Sequence, residues 1–197
     1  MSTLSLKFLV GVFVLLSIYQ PSIADGENAP QSAPQSSPAF NVPAGKDPTL
    51  IRETCKLTKN SDECVKNLEA DVRSYDATDA GGLAQIAIEH VVANANHLYV
   101  QANALKSKPG YDDQSIRAME TCSKLYGEAV DTLMQGRQAV GSKDYKSANI
   151  YVSEAIDASD TCTQEFEESA RKMPFARRNK MVKDQASIAL DIIAHLN

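Results

Sequence analysis

Along residues 80–197 the apolar positions recur every three or four residues, in four stretches separated by short polar breaks. In the first stretch, 80–107, a single stripe carries Leu83, Ala87, His90, Val91, Asn94, Leu98, Ala102 and Leu105. That period is the signature of a helix with one buried face. Asp79 stands before it as an N-cap, and KSKPGYDD (106–113) ends it with Pro109-Gly110. The second stripe is Ile116, Met119, Cys122, Leu125, Ala129, Val130, Leu133 and Val140, closing near Gly141. The third runs through Tyr145, Ala148, Val152, Ala155, Ile156, Ser159, Cys162 and Phe166. After KMPFA (172–176), a fourth carries Met181, Ala186, Ile188, Ala189, Ile192, Ile193 and Leu196. No alternating run competes for a strand. Amphipathic helices of roughly 20 to 28 residues joined by short links predict an all-α, up-down-up-down four-helix bundle over residues 79–197.

Ahead of the bundle the pattern is weaker. Asp47 and Pro48 read as the cap and first position of a short helix through Leu50, Ile51 and Leu57. Ser61-Asp62-Glu63 reads as the cap of a second helix reaching about Ala70. Residues 47–71 are thus expected as a helical hairpin with too little apolar surface to stand alone, and DVRSYDATD (71–79) as a polar connection. Residues 25–46 hold Pro30, Pro34, Pro38 and Pro43 among Ser, Gln, Ala and Asn, a composition that cannot offset its ordering entropy and is expected as a disordered leader. Residues 1–24 combine Lys7, the short apolar run FLVGVFVLLSIY, Pro21 and small residues at Ser22-Ile23-Ala24. Charged start, an apolar middle too short to span a bilayer and a small-residue exit make a secretory signal peptide. A secreted protein with no membrane association after cleavage follows, its folded part being residues 47–197, one domain's worth.

That compartment changes how the cysteines read. Four cysteines in an oxidising environment suggest two disulfides, and four allow three pairings. Cys55 and Cys64 are separated by eight residues and Cys122 and Cys162 by thirty-nine, spacings that fit neither a zinc site nor a C-x-x-C redox pair. Spacing alone leaves the connectivity open. The formal net charge is −5, and loss of Lys7 with the signal peptide makes it −6. An acidic balance argues against nucleic acid or an anionic surface as the main partner and mildly favours a basic one.

Chemistry is hard to find. The three histidines are His90, His97 and His195, and His90 reads best as a partly buried, hydrogen-bonded side chain. H-E-x-x-H, G-x-S-x-G and Gly-rich phosphate loops are absent, and Glu89-His90 is adjacent rather than spaced for a di-metal bundle site. The expectation is no enzyme, no metal and no cofactor, with function carried by a surface. A metal-dependent bundle enzyme and a structural or ligand-carrying bundle are the rivals from other classes.

Cysteine spacing, bundle and leader together resemble the plant invertase and pectin methylesterase inhibitor family. The resemblance covers residues 47–197. ETCKLTKNSDECVKNLEAD looks like its paired-cysteine hairpin, and ETCSKLYGEAVDTL (120–133) and KDYKSANIYVSEAIDASDTCTQEF (143–166) look like its second and third bundle helices. The family implies the pairings Cys55–Cys64 and Cys122–Cys162. It also implies a secreted, non-catalytic inhibitor of either a pectin methylesterase or an acid invertase (β-fructofuranosidase), in the apoplast or cell wall or alternatively the vacuole. Invertase inhibitors of the family often carry Pro-Lys-Phe in the loop entering the third bundle helix; the matching Tyr145-Lys146-Ser147 keeps only the lysine. The region DYKSANIY is closer to the methylesterase-inhibitor version, which implies one-to-one occlusion of the pectin-binding cleft. The positions matching that group's contact residues are Lys124, Glu128, Asp131, Asn149, Thr161 and Gln164, with Tyr145 and Lys146 at the loop. Lys124, Glu128 and Asp131 share one helix face by their i, i+4, i+7 spacing. Lys124 departs from the acidic residue that the resemblance leads one to expect.

Overall fold

The computed structural model describes residues 45–196, so the expected signal peptide and nearly all of the expected leader lie outside the described residues. Within them the order is α1 (Thr49–Cys55), α2 (Ser61–Glu69), a 3₁₀ turn (Val72–Asp76), α3 (Ala80–Lys106), α4 (Asp113–Gly141), α5 (Tyr145–Glu168) and α6 (Ala176–Ile193). No described helix is long and apolar enough to cross a membrane.

Capping side chains explain most helix starts. Asp79 accepts from the Gly82 N–H at 2.8 Å, Asp112 from Ser115 at 2.8 Å and Asp144 from Ser147 at 3.1 Å. Each satisfies a donor that the first turn leaves without an intrahelical partner. The short helices differ from expectation in detail. α1 begins at Thr49, after Pro48, although Asp47 does accept from the Thr49 N–H at 2.9 Å. It ends at Cys55, leaving Leu57 exposed in the turn. α2 is capped by Asn60 rather than by Ser61. The connection 71–79 contains the 3₁₀ turn, whose start is capped by Asp71 through the Arg73 N–H at 3.0 Å.

The long helices form a closed ring: α3 packs on α4, α4 on α5, α5 on α6, and α6 returns to α3, while the α3–α5 diagonal barely touches. Contacts run in opposite senses along each pair, as Tyr99 against Gly127 and Gln85 against Arg137 show for α3 and α4. The four predicted stripes fill the centre, with two shifts. Tyr126, not Leu125, is the fully buried residue of that turn of α4, and Val182, not Met181, is the buried one on α6. At Gly136 the α4 backbone comes close to α5: a Cβ there would lie 3.1 Å from Val152 Cγ2 and 3.2 Å from Tyr151 Cβ. The α5–α6 link is itself part of the core, since Met173 and Phe175 are buried and the Phe175 ring meets Phe166 edge-on at 5.8 Å.

Both tight links use a non-glycine residue in the left-handed region. Lys143 (φ 63°) lets Asp144 N–H reach back to Ala139 O at 2.9 Å, and Ala170 (φ 51°) lets Arg171 N–H reach Phe166 O at 2.9 Å. These are helix terminations in which the chain reverses to cap the last carbonyls.

Candidate functional site

The hairpin decides which side of the ring stays open. Asn67 and Leu68 of α2 lie over Ala87 and His90 of α3 and Gln185 and Ile188 of α6. The α1–α2 turn is tied to the end of α6, where the Lys59 N–H donates to Asp191 at 2.9 Å. Asp71, at the 3₁₀ turn, accepts from His90 Nε2 at 2.9 Å and from Arg73, while Glu89 is shared between Arg73 and Arg137. The Arg73 guanidinium, followed by the His90 hydrogen bond, outweighs burial and holds the Asp71 carboxyl well below the usual carboxylate range. The hairpin therefore covers the α3–α6 seam, and among the described residues nothing covers the α4–α5 seam opposite.

On that open side a disulfide joins Cys122 of α4 to Cys162 of α5, with Cα atoms 5.0 Å apart; the hairpin holds the other, Cys55–Cys64. Lys124 follows Cys122 by two residues on α4 and Thr161 precedes Cys162 by one on α5. Lys124, Glu128, Asp131, Thr161 and Gln164 are all exposed. The Lys124 ammonium lies 3.9 Å from Glu128, with the two side chains 78% and 62% exposed. Gln164 donates to Glu168 at 2.5 Å. Exposed pairs of this kind contribute little, so the side chains can exchange their partners for another protein's at small cost.

The remaining three candidates lie elsewhere on α5. Asn149 and Thr161 are separated by roughly 18 Å along the helix and about 120° around it, given 1.5 Å and 100° per residue. Lys146 and Asn149 are exposed, whereas Tyr145 is half-buried and packs against the core. Asp144, beside it, has its carboxyl held below the ordinary range by hydrogen bonds from Ser147. All eight candidates lie on α4 and α5 and all but Tyr145 are exposed; Lys124 meets Glu128, while Tyr145, Lys146 and Asn149 lie near the start of α5.

Behind the disulfide end is a polar knot that apolar periodicity did not reveal. The buried Tyr126 hydroxyl donates to Asn179 Oδ1. Asn179 Nδ2 in turn donates to Ser159 O (3.0 Å), Ser159 Oγ (3.1 Å) and Thr163 Oγ1 (2.9 Å), and Ser159 Oγ donates to Asn179 O at 3.0 Å. Burial pushes the Tyr126 phenol well above its ordinary range, so it stays a neutral donor. Three helices are thereby locked in one register beneath the face, which keeps the face rigid. Tyr126 lies four residues after Cys122 and three before Ala129, a spacing that could have marked it.

The histidines are engaged or peripheral. His90 is half-buried against Asp71, His97 is exposed, and His195 bonds the Asp191 carbonyl at 2.8 Å. Among the described residues no group of three or more His, Cys, Asp or Glu is placed to hold a metal ion.

A family model described as plant invertase/pectin methylesterase inhibitor matches residues 49–192. The chain is 38% identical over 118 residues to a pectinesterase inhibitor of Actinidia deliciosa, a match covering 60% of this chain and 63% of that relative. It is 32% identical over 181 residues to pectinesterase inhibitor 28 of Oryza sativa subsp. japonica, covering 87% of this chain and 79% of the relative. Among solved structures, a mutant form of a pectin methylesterase inhibitor from Arabidopsis superposes with a TM-score of 0.63 at 25% identity, covering 73% of this chain and 94% of that one.

Proposed function

The chain belongs to the plant invertase/pectin methylesterase inhibitor family, and from that membership we propose that it inhibits a pectin methylesterase by sitting one-to-one over the cleft that holds pectin. It does no chemistry of its own. A bundle locked by a buried core, two disulfides and the Tyr126–Asn179 knot meets the partner as a preorganised surface, which lowers the ordering cost of association. The contact face is the α4–α5 seam, with Lys124, Glu128, Asp131, Thr161 and Gln164 as its contacts. Secretion into the apoplast or cell wall accompanies this role.

The observation that carries the choice of target is the start of α5. Tyr145 turns against the core and is half-buried, and no proline precedes Lys146. Ser147 stands where the Pro-Lys-Phe motif has its aromatic, so of that motif this loop presents only Lys146. The second reading, inhibition of an acid invertase, keeps its support in the family description itself.

Parallel titration of a pectin methylesterase and an acid invertase with the purified protein tests the choice. The expected result is stoichiometric loss of esterase activity with the invertase untouched. The opposite pattern reverses the assignment, and no effect on either enzyme removes it.

A further inference from the structure

Residues 171–183 carry six basic side chains, Arg171, Lys172, Arg177, Arg178, Lys180 and Lys183, and no acidic one. The whole chain has a net charge of −5, so this segment runs against the charge of the molecule. The fold concentrates it at one place. Arg171, Lys180 and Lys183 line a single open groove of about 460 Å³ between α5 and α6, a volume within the range of ligand sites. Phe166, Met173 and Ala176 give the groove apolar surface, and Asp160 and Glu167 on its α5 side are acceptors.

The cations are not committed to the fold. Arg171 pairs with Asp112 at 2.5 Å, Lys180 with Asp184 at 2.6 Å and Lys183 with Asp160 at 2.5 Å, and every one of these side chains is at least 38% exposed. Pairs that exposed are weak and yield readily to a competing anion. Lys172 and Arg177 are exposed and make no ion pair or hydrogen bond to another described residue. Along α6, Arg177, Lys180 and Lys183 follow one another at i, i+3 and i+6, about 5–6 Å between neighbours. A row of cations at that interval suits a polymer with one carboxylate on each unit.

A fitting unit brings a carboxylate for the cations, a C–H face for Phe166, Met173 and Ala176, and hydroxyls that donate to Asp160 and Glu167. A uronate sugar has all three. We propose that the groove and the basic segment beside it bind de-esterified uronan, the acidic polymer left when the methyl esters of pectin are removed. The choice of polymer rests on the function proposed above: the inhibitor is retained where its target has already acted. This site is on the α5–α6 side and uses none of the residues assigned to the enzyme-binding face.

Calorimetric titration of the mature protein with an unesterified oligogalacturonate tests the site, with a methyl-esterified oligomer and heparin as parallel arms. The acid form should bind and weaken as salt rises, and the esterified form should not bind. Lys172→Gln with Arg177→Gln, which leaves every ion pair in place, should weaken binding at least about fivefold. Lys180→Gln with Lys183→Gln should abolish it, with unchanged helical circular dichroism. No binding, equal binding of the esterified oligomer, tighter binding of heparin, or full binding by the Lys172/Arg177 variant each overturns the assignment. Esterase inhibition measured on the same samples separates the two ideas: inhibition without uronan binding removes only this inference, and uronan binding without inhibition removes only the proposed function.

Discussion

The two seams on opposite sides of the helical ring are built in contrasting ways. The α3–α6 seam is covered by the hairpin and held by polar contacts: Asp71 with Arg73 and His90, Asn94 with Gln185 and Arg178, and Lys59 against Asp191. The α4–α5 seam has no cover among the described residues. A disulfide, the close approach at Gly136 and the buried knot hold it, and its outer surface bears exposed polar side chains with one weak ion pair among Lys124, Glu128, Asp131, Thr161 and Gln164. One side spends its polar groups on internal attachment; the other keeps them free. A protein that works by presenting a surface needs both, a closed side for integrity and a rigid open side for contact.

The largest test of that contrast removes a disulfide from each side in turn. In the chain-entropy model Cys122→Ser with Cys162→Ser should cost about 3.9 kcal/mol, and Cys55→Ser with Cys64→Ser about 2.7 kcal/mol. Denaturant melts should rank them in that order, and only the first should weaken enzyme inhibition beyond the fraction unfolded. Equal losses of inhibition per unit of stability would remove the functional distinction between the two sides.

A smaller effect is expected inside the open side. Tyr126→Phe deletes the hydroxyl that donates to Asn179 Oδ1 and leaves a buried acceptor unpaired. The expected loss is about 1–3 kcal/mol, read from thermal or denaturant melts. A neutral result would mean that the knot does not hold the register beneath the face.

The smallest effect belongs to the covered side and depends on pH. Because the folded-state pKa of Asp71 is depressed, its stabilisation is fully present above the unfolded carboxylate pKa and is lost as pH falls toward the folded value. Wild type should therefore exceed Asp71→Asn in stability by a constant margin at neutral pH. The margin should shrink only below about pH 4, the ordinary aspartate range. Melts across pH check this, and a margin that disappears between pH 7 and 5 would show that the Asp71 carboxylate does not carry the effect.

What was legible in the chain followed from periodicity and from cap chemistry. The long helices announced themselves through stripes such as Ala148, Val152, Ala155 and Cys162, and Asp79 marked its helix start directly. The hidden features were tertiary or conformational. Asn179 and Tyr126 are polar, so an apolar count passes over them, although each finds partners only across helices. α4 ends at Gly141 as expected, but Lys143 and Ala170 close their turns at positive φ, where glycine is the usual marker, so residue type did not signal them. Asp71 meets His90 nineteen residues later, through a contact that no local pattern contains. The eight site candidates came from resemblance rather than physics, and helix geometry was needed to separate Thr161 from Asn149.

The central claim is that the open α4–α5 face carries the inhibition. Its most direct test is the inhibition constant toward a pectin methylesterase for Glu128→Lys with Asp131→Lys, compared with wild type and with Lys59→Glu on the covered side. Both changes lie on exposed positions and should leave the melting transition within about 0.5 kcal/mol of wild type. The face variant should lose at least about tenfold in inhibition through charge clash at the interface, with the hairpin variant unchanged. Full inhibition by the face variant, or a loss confined to Lys59→Glu, would contradict the assignment of function to the α4–α5 side.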